Sequence, residues 1–390
     1  MATTSRGPSV GTTPHEGRRA LGAGTSWWPC SSATWRGRTR YGRSAGDWPR
    51  QEGRASAPEL GKLVHLGLKK APPRSTLPYA NTHRPWELFE TVFYDVPGRC
   101  QELASTKRRR FRFNNPLRSL DSTTIDLCAE VFDWATFRRT KGAVKLHLQL
   151  DHRGCLPCWA LVTEGSRHEV KAAQGVSFAA GTIVALDRGY NDYRLFGRWT
   201  EEGVFFVTRA KEGIQYEIVE TRSVPENGDV ICDEVIRLTG KGAEERCPQL
   251  LRMIEVWDPE QGRFVTFLTN IMHLAAGTVA AIYRERWQIE LFFKALRQHL
   301  KVKTFVGTRE RLRAPLSENA VKTQIWTALI SMLLLNYLQL KSSWNWSLSN
   351  LAALFRLNLL TYRDLQQWLD DPYETPVEEP GPQQQLLFPI

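Results

Sequence analysis

The residues best suited to chemistry lie on one predicted helix, from Ala275 to Leu300. Apolar residues border its polar stripe on both sides, and an ordinary solvated helix face has no need of such a border. The alternative is a buried ladder of ion pairs, in which two basic residues of the stripe pair with its one carboxylate at i, i+4 spacing. At about 100° per residue, the side chains of the stripe fall within an arc of about 80°: Tyr283, Arg286, Glu290, Lys294 and Arg297.

Two further carboxylates occupy unusual positions. Asp187 directly follows the apolar run Thr182 to Leu186, and ligand sites in sheets of this kind favour the carboxyl ends of strands. Asp121 lies inside a predicted strand from Ser119 to Cys128, where an acidic side chain needs a partner. Each carboxylate has an ordinary alternative. Asp187 could cap the helix that follows it, and Asp121 could lie on a Thr-rich surface strand.

The strands that must position these carboxylates are visible as alternating and continuous apolar patterns. Residues 144–150 alternate apolar and polar side chains, and residues 159–163 return after a turn. Together with the strand around Asp121 they predict an antiparallel meander. Two alternations of a buried strand and a helix follow up to residue 207. This order predicts an α/β fold, in which helices cover a mixed sheet.

Composition and charge narrow the class of protein. The 390 residues suffice for two or three domains. A formal net charge of +11 favours a polyanionic partner such as nucleic acid, although most of the excess lies in residues 1–80. The seven cysteines, an odd number in a chain without a secretory signal, predict a reducing, cytoplasmic setting. Polar residues interrupt the most apolar stretch, Ile325 to Leu340, so no membrane span is predicted.

Three motifs occur in a fixed order along the chain: Leu120-Asp-Ser-Thr-Thr-Ile125, Leu186-Asp-Arg-Gly-Tyr190, and Tyr283-x2-Arg286-x3-Glu290. With them the sequence resembles DDE transposases of the insertion-sequence-4 group, whose signature helix reads Tyr, Arg, Glu, Lys. The similarity extends from about Lys62 to Trp368. It implies a ribonuclease-H-like mixed β-sheet core flanked by helices, with an inserted β-rich subdomain. It also implies cut-and-paste DNA transposition, by metal-dependent cleavage and strand transfer of insertion-sequence ends.

The resemblance assigns roles to individual residues. It implies that Asp121, Asp187 and Glu290 are the catalytic carboxylates and bind two Mg²⁺ ions, for which Mn²⁺ can substitute. Asp and Glu oxygens are suitable hard donors for Mg²⁺, and two such ions can activate the attacking oxygen and stabilise the leaving oxygen of a phosphodiester. The residues implied to bind DNA are Tyr283, Arg286, Lys294, Arg297, Arg138, Arg139, Lys141 and Arg188.

The resemblance also implies partners and a location. The partners are double-stranded DNA, as transposon ends and as target, and a second copy of the chain in a synaptic homodimer. The location is the bacterial cytoplasm, in association with the nucleoid and without a membrane.

Trp287 could stack on an unpaired base, but a position in the core is the favoured interpretation.

The first part of the chain departs from the family pattern. Residues 1–60 are rich in Arg, Gly, Ser, Trp and Pro and do not resemble the family's helical end-binding domain, so we hypothesise a compensated frameshift there. The signature's final Lys is replaced by Arg297, which keeps the charge. The predicted organisation is a disordered or aberrant segment (1–60), a remnant of the helical DNA-binding domain (61–115), the first part of the catalytic core (116–212), the β-rich insertion (213–272), the helical second part of the core (273–370) and a disordered tail (371–390).

Other functions fit parts of the same pattern. The main alternative is a degenerate, catalytically inactive transposase remnant that binds DNA weakly and has the same fold. A structure-specific nuclease would share the core. A glycosidase also uses paired carboxylates, but the basic neighbours of Glu290 favour a phosphate substrate.

Overall fold

The computed structural model describes residues 76–105, 110–127, 136–138, 141–226, 228–299, 317–358 and 364–373. The predicted N-terminal segment 1–60 and nearly all of the predicted tail 371–390 lie outside the described residues. No helix in the described ranges combines the length and the apolar character needed to cross a membrane.

One ten-stranded sheet forms the centre of the protein. Its strands are β1 (Leu117–Leu127), β2 (Thr136–Arg138), β3 (Lys141–Asp151), β4 (Leu156–Glu164), β5 (Ile183–Leu186), β6 (Phe205–Arg209), β7 (Tyr216–Thr221), β8 (Val230–Leu238), β9 (Leu251–Asp258) and β10 (Arg263–Thr269). The α-helices are α1 (Thr76–His83), α2 (Glu87–Asp95), α3 (Pro97–Ser105), α4 (Glu169–Gln174), α5 (Tyr193–Glu201), α6 (Ala243–Arg246), α7 (Ala276–Glu285), α8 (Trp287–His299), α9 (Glu318–Lys341), α10 (Leu348–Asn358) and α11 (Leu365–Asp370).

The sheet is mixed, with β1 at the junction of its two parts. On one side β1 pairs antiparallel with β3, which pairs antiparallel with β4. On the other side β1 pairs parallel with β5, and β5 pairs parallel with β6. A meander of three antiparallel strands followed by two parallel strands confirms the mixed, ribonuclease-H-like α/β fold predicted from the sequence.

The inserted strands extend this same sheet beyond β6. Strand β10 pairs antiparallel with β6, and β9, β8 and β7 follow in that order to the edge. The β-rich insertion predicted at residues 213–272 covers β7, β8, β9 and β10. The residues of β9 are mostly buried. The insertion is thus connected to the core through a continuous hydrogen-bonded ladder.

Alternating side chains give the two faces of the sheet different environments. On β3, apolar residues such as Leu146 and Leu148 lie in a core with α2, α8 and α9. The residues between them are buried but polar, among them Lys145 and His147. Lys145 donates to Glu169 on α4 at 2.8 Å. Helices α7, α8 and α9 therefore cover one face, and α4 and α5 cover the other.

The helix that carries the polar stripe is interrupted. The sequence predicted one helix from Ala275 to Leu300, but α7 ends at Glu285 and α8 begins at Trp287. The Arg286 N–H donates to the Tyr283 carbonyl at 3.0 Å, and the Ile289 N–H donates to the Arg286 carbonyl at 3.1 Å. These bonds span three residues instead of four and tighten the backbone at that point. Arg286 therefore lies at a break between two helices.

Candidate active site

Asp121 and Asp187 lie side by side at the carboxyl end of β5. In the parallel pair of β1 and β5, Leu120 is opposite Leu186, and each Asp directly follows its leucine. The residues around Asp187 explain its place, because β5 is a fully buried apolar strand and the chain turns out of the sheet where that strand ends. This is the edge at which ligand sites of parallel sheets are found.

Arg286 joins two of the predicted carboxylates. Its Nη1 donates to Asp121 Oδ2 at 3.1 Å, and its Nη2 donates to Glu290 Oε1 at 2.6 Å. The exposed fractions of the three side chains are 12% for Arg286, 17% for Asp121 and 34% for Glu290. A strand and a helix that are 165 residues apart in the sequence therefore meet through one guanidinium.

Electrostatic interactions couple Asp121 to Asp187, Glu290 and Arg286. Burial raises the pKa of Asp121 from 3.8 to about 6. The Arg286 guanidinium and the Ser122 N–H lower this pKa, and the negative charges of Asp187 and Glu290 raise it. An ionised Asp121 is thus costly here, because Arg286 only partly offsets burial and the two neighbouring carboxylates.

Tyr283 lies at the same corner of the protein, which is formed by Asp121, Asp187, Arg286 and Glu290. It lies one turn before Arg286, whose guanidinium carbon is 5.5 Å from the centre of the tyrosine ring. Its hydroxyl is buried. Burial raises the pKa of Tyr283, Arg286 and Arg209 lower it, and Asp187 raises it. Tyr283 therefore lies within electrostatic range of both Asp187 and Arg286.

The chemistry of the three carboxylates, rather than the spacing seen here, suits a hard divalent cation. Three carboxylates are electrostatically coupled at one corner, and a cation there would relieve the repulsion that raises the pKa of Asp121. Among the described residues, no three His, Cys, Asp or Glu side chains form a group that could hold a metal ion. Asp121 and Glu290 face the Arg286 guanidinium instead.

The other residues that the sequence assigned to DNA binding differ in their contacts. Arg297 Nη1 donates to Thr123 Oγ1 at 3.4 Å, which holds it near β1, two residues beyond Asp121. Lys294 is exposed. Arg188 is exposed and lies 3.9 Å from Glu212. The side chains of Arg138 and Lys141, and the whole of Arg139, lie outside the described residues.

The structure decides between several interpretations of the sequence. Asp187 is not the cap of the following helix, because Asp192 caps α5 by accepting from the Leu195 N–H at 3.0 Å. Asp121 is not on a surface strand, since β1 lies between β3 and β5. Trp287 is 55% exposed, so the predicted position in the core is wrong.

The ladder of ion pairs is present only in part. Arg286 pairs with Glu290, as that alternative predicted. Within the described ranges, however, no ion pair joins Glu290 to Lys294, and Arg286 contacts β1 as well. The arrangement is therefore a contact between elements and not a ladder along one helix.

Arg209 is a residue of this corner that the sequence analysis did not assign to the site. It ends β6, where Thr208 pairs with Leu186, so Arg209 lies opposite Asp187 across the parallel pair. It also acts on the pKa of Tyr283. A basic residue at the carboxyl end of a buried strand was the signal that could have identified it.

The comparisons with known proteins agree with these observations. The family model described as "Transposase DDE domain" matches residues 113–334. The "Probable transposase for insertion sequence element IS5377" of Geobacillus stearothermophilus is 30% identical over 273 residues, which cover 68% of this chain and 70% of that protein. The "Transposase InsG for insertion sequence element IS4" of Escherichia coli (strain K12) is 26% identical over 171 residues, 41% of this chain and 35% of that protein.

Among solved structures, the chain matches the "Cryo-EM structure of piggyBac transposase synaptic complex with hairpin DNA (SNHP)" with a TM-score of 0.36 and 14% identity, over 68% of this chain and 58% of that one. The family model alone spans more than half of the 390 residues. The chain therefore belongs to the DDE transposase family, in the insertion-sequence-4 group, and is a DNA-binding enzyme of DNA transposition.

Proposed function

We propose that Asp121, Asp187 and Glu290 are the metal-binding carboxylates with which this transposase cleaves and joins insertion-sequence ends. The observation that carries the proposal is the Arg286 guanidinium, which contacts both Asp121 and Glu290 beside Asp187. Asp121 and Glu290 meet at Arg286, and Asp187 lies beside Asp121 at the end of β5. Burial and the neighbouring charges raise the pKa of Asp121, which makes its ionised form costly for stability. Such a cost is typical of functional sites.

The proposed cofactor is Mg²⁺, with two ions in the site and Mn²⁺ as a substitute. Bound there, the ions would supply the charge that activates the attacking oxygen and stabilises the leaving oxygen of a phosphodiester. The carboxylates contribute hard oxygen donors. Arg286 and the neighbouring Tyr283 hydroxyl would donate hydrogen bonds to phosphate oxygens of the DNA.

The proposed DNA contacts surround this corner. Arg297 lies near Asp121, and Lys294 is exposed on the same helix, so both can add positive charge along the DNA backbone. Arg188 directly follows Asp187. By similarity to the family we also assign Arg138, Arg139 and Lys141 to DNA binding. The proposed partners are double-stranded DNA, as transposon ends and target, and a second copy of the chain in a synaptic homodimer.

The inactive-remnant alternative would share the fold but has no need of this electrostatic arrangement. In a remnant, a buried carboxylate with a raised pKa costs stability without serving a reaction. In the active enzyme the coupled carboxylates Asp121, Asp187 and Glu290 would serve the reaction, and the nicking experiment decides between the two.

The test is Mg²⁺-dependent nicking of supercoiled DNA by the purified chain. Loss of a group that hydrogen-bonds to a metal ligand typically costs about 10–100-fold. Loss of a ligand itself should cost more, so we expect Asp187→Asn and Glu290→Gln to reduce the rate by more than about 100-fold. Asp192→Asn is the matched control, because Asn caps a helix as well as Asp and this residue lies outside the proposed site.

Two other outcomes would contradict the proposal. Equal nicking by the parent and both variants would refute the residue assignment. A folded parent that fails to nick DNA both in the presence of Mg²⁺ and in the presence of Mn²⁺ would support the inactive remnant.

A further inference from the structure

The short segment between β10 and α7 carries the chain from the inserted strands to the helices of the active site. Asn270 anchors its beginning: Oδ1 accepts from the Phe206 N–H at 2.9 Å, and Nδ2 donates to the Val204 carbonyl at 2.9 Å. Phe206 lies in β6, and Val204 directly precedes that strand. Ala275, at the N-cap of α7, provides no side-chain cap. The entry to α7 is therefore held by other parts of the protein.

Arg252 on β9 holds this segment closest to α7. Its Nη1 donates to the carbonyls of Ile271 at 3.0 Å and Leu274 at 2.6 Å. Its Nε and Nη2 donate to the two carboxylate oxygens of Asp233 on β8, each at 2.7 Å. The side chains of Arg252 and Asp233 are 2% and 6% exposed. One buried guanidinium thus connects two inserted strands with two carbonyls directly before α7.

A role in stability alone does not account for this arrangement. Apolar residues of similar volume often stabilise a protein as well as a buried ion pair does. They could not, however, donate to the carbonyls of Ile271 and Leu274. The planar guanidinium of Arg252 can donate two parallel hydrogen bonds to Asp233 while its remaining nitrogen donates to the carbonyls. What the pair provides is a defined position for the residues that precede α7.

We propose that Asp233 and Arg252 are a positioning pair, through which the inserted strands set the start of α7 and hence the place of Arg286 and Glu290 opposite Asp121. This inference rests on the proposed function of the three carboxylates. Neither residue touches the site, and both act through the helix that leads to it. The insertion thereby becomes part of the catalytic framework.

The experiment compares the full-length parent with Arg252→Met, Arg252→Lys and a control, Arg237→Met. Arg237 on β8 forms an exposed ion pair with Glu217 on β7, so its loss removes a charge from the inserted strands without affecting the entry to α7. Hydrogen exchange of the amides in α7 and α8 is measured in EDTA by mass spectrometry. The affinity for Mn²⁺ is then measured by isothermal titration calorimetry.

We expect Arg252→Met to speed exchange in α7 by at least about tenfold and to weaken Mn²⁺ binding, because the helix start opens more readily. Arg252→Lys keeps the charge but loses the fork, so it should lie between Met and the parent. The Arg237→Met control should match the parent in both measurements.

Faster exchange that is confined to β8 and β9, with α7 and Mn²⁺ binding unchanged, would overturn the positioning role. If Arg252→Met does not fold, the Lys variant decides, and parental exchange and Mn²⁺ affinity in that variant would also overturn it. The exchange readout needs no metal, so it is separable from the proposed function. A parent that does not bind Mn²⁺ contradicts that function, whatever the exchange shows.

Discussion

Replacing Asp121 with Asn should stabilise the metal-free protein while it removes a proposed metal ligand. Burial raises the pKa of Asp121 from 3.8 to about 6. The negative charges of Asp187 and Glu290 also raise this pKa and so offset part of the lowering by Arg286. A pKa difference of one corresponds to about 1.4 kcal/mol, so ionised Asp121 lowers the free energy of unfolding by about 3 kcal/mol at pH 8. The Asn variant lacks the charge and should recover this amount.

The gain should depend on pH in a defined direction. The folded protein holds the Asp121 proton more tightly than the unfolded chain, so the destabilisation is complete above about pH 6 and absent well below pH 3.8. Protonated Asp121 is neutral, as Asn is. The difference between variant and parent should therefore fall from about 3 kcal/mol at pH 8 to about 1.6 kcal/mol at pH 5.

Urea unfolding in EDTA, followed by tryptophan fluorescence at both pH values, measures this difference. For a slope of about 3 kcal/mol per molar urea, the midpoint of Asp121→Asn should rise by about 1 M at pH 8. Asp192→Asn is the control and should leave the midpoint unchanged, because the helix cap is kept. A variant no more stable than the parent at pH 8, or a gap that does not shrink at pH 5, would refute the electrostatic reasoning.

Two further predictions concern other contacts in the same core. In calorimetry without DNA, Arg286→Gln should bind Mn²⁺ about tenfold more tightly than the parent, because no guanidinium then competes for the carboxylates. The control Arg284→Gln, at an exposed residue, should match the parent, and an unchanged affinity in Arg286→Gln would contradict the reasoning. Gly197→Ala should lower the melting temperature by an amount equivalent to about 1–3 kcal/mol, because its Cβ would overlap the backbone carbonyl of Arg246, while Gly277→Ala in open space should not lower it. Equal melting of both Ala variants would count against that close approach.

Local patterns in the sequence were sufficient for the fold class and for the family. The continuous apolar run at residues 182–186 predicted β5 and placed Asp187 at its end. The alternation at residues 144–150 predicted β3, with a row of apolar side chains on one face. These features are readable because strand and helix periods are properties of neighbouring residues. Motif order then identified the transposase group.

Only the tertiary structure determined how these elements meet. Periodicity gave a continuous helix through Arg286, but contacts with β1 and the break between α7 and α8 depend on residues far away in the sequence. The extension of the central sheet by the inserted strands depends on the pairing of β10 with β6. The link from Arg252 to the start of α7 likewise depends on strand register. A sequence pattern reports which face of an element is apolar, whereas the partner of a polar side chain is set by packing and register between distant segments.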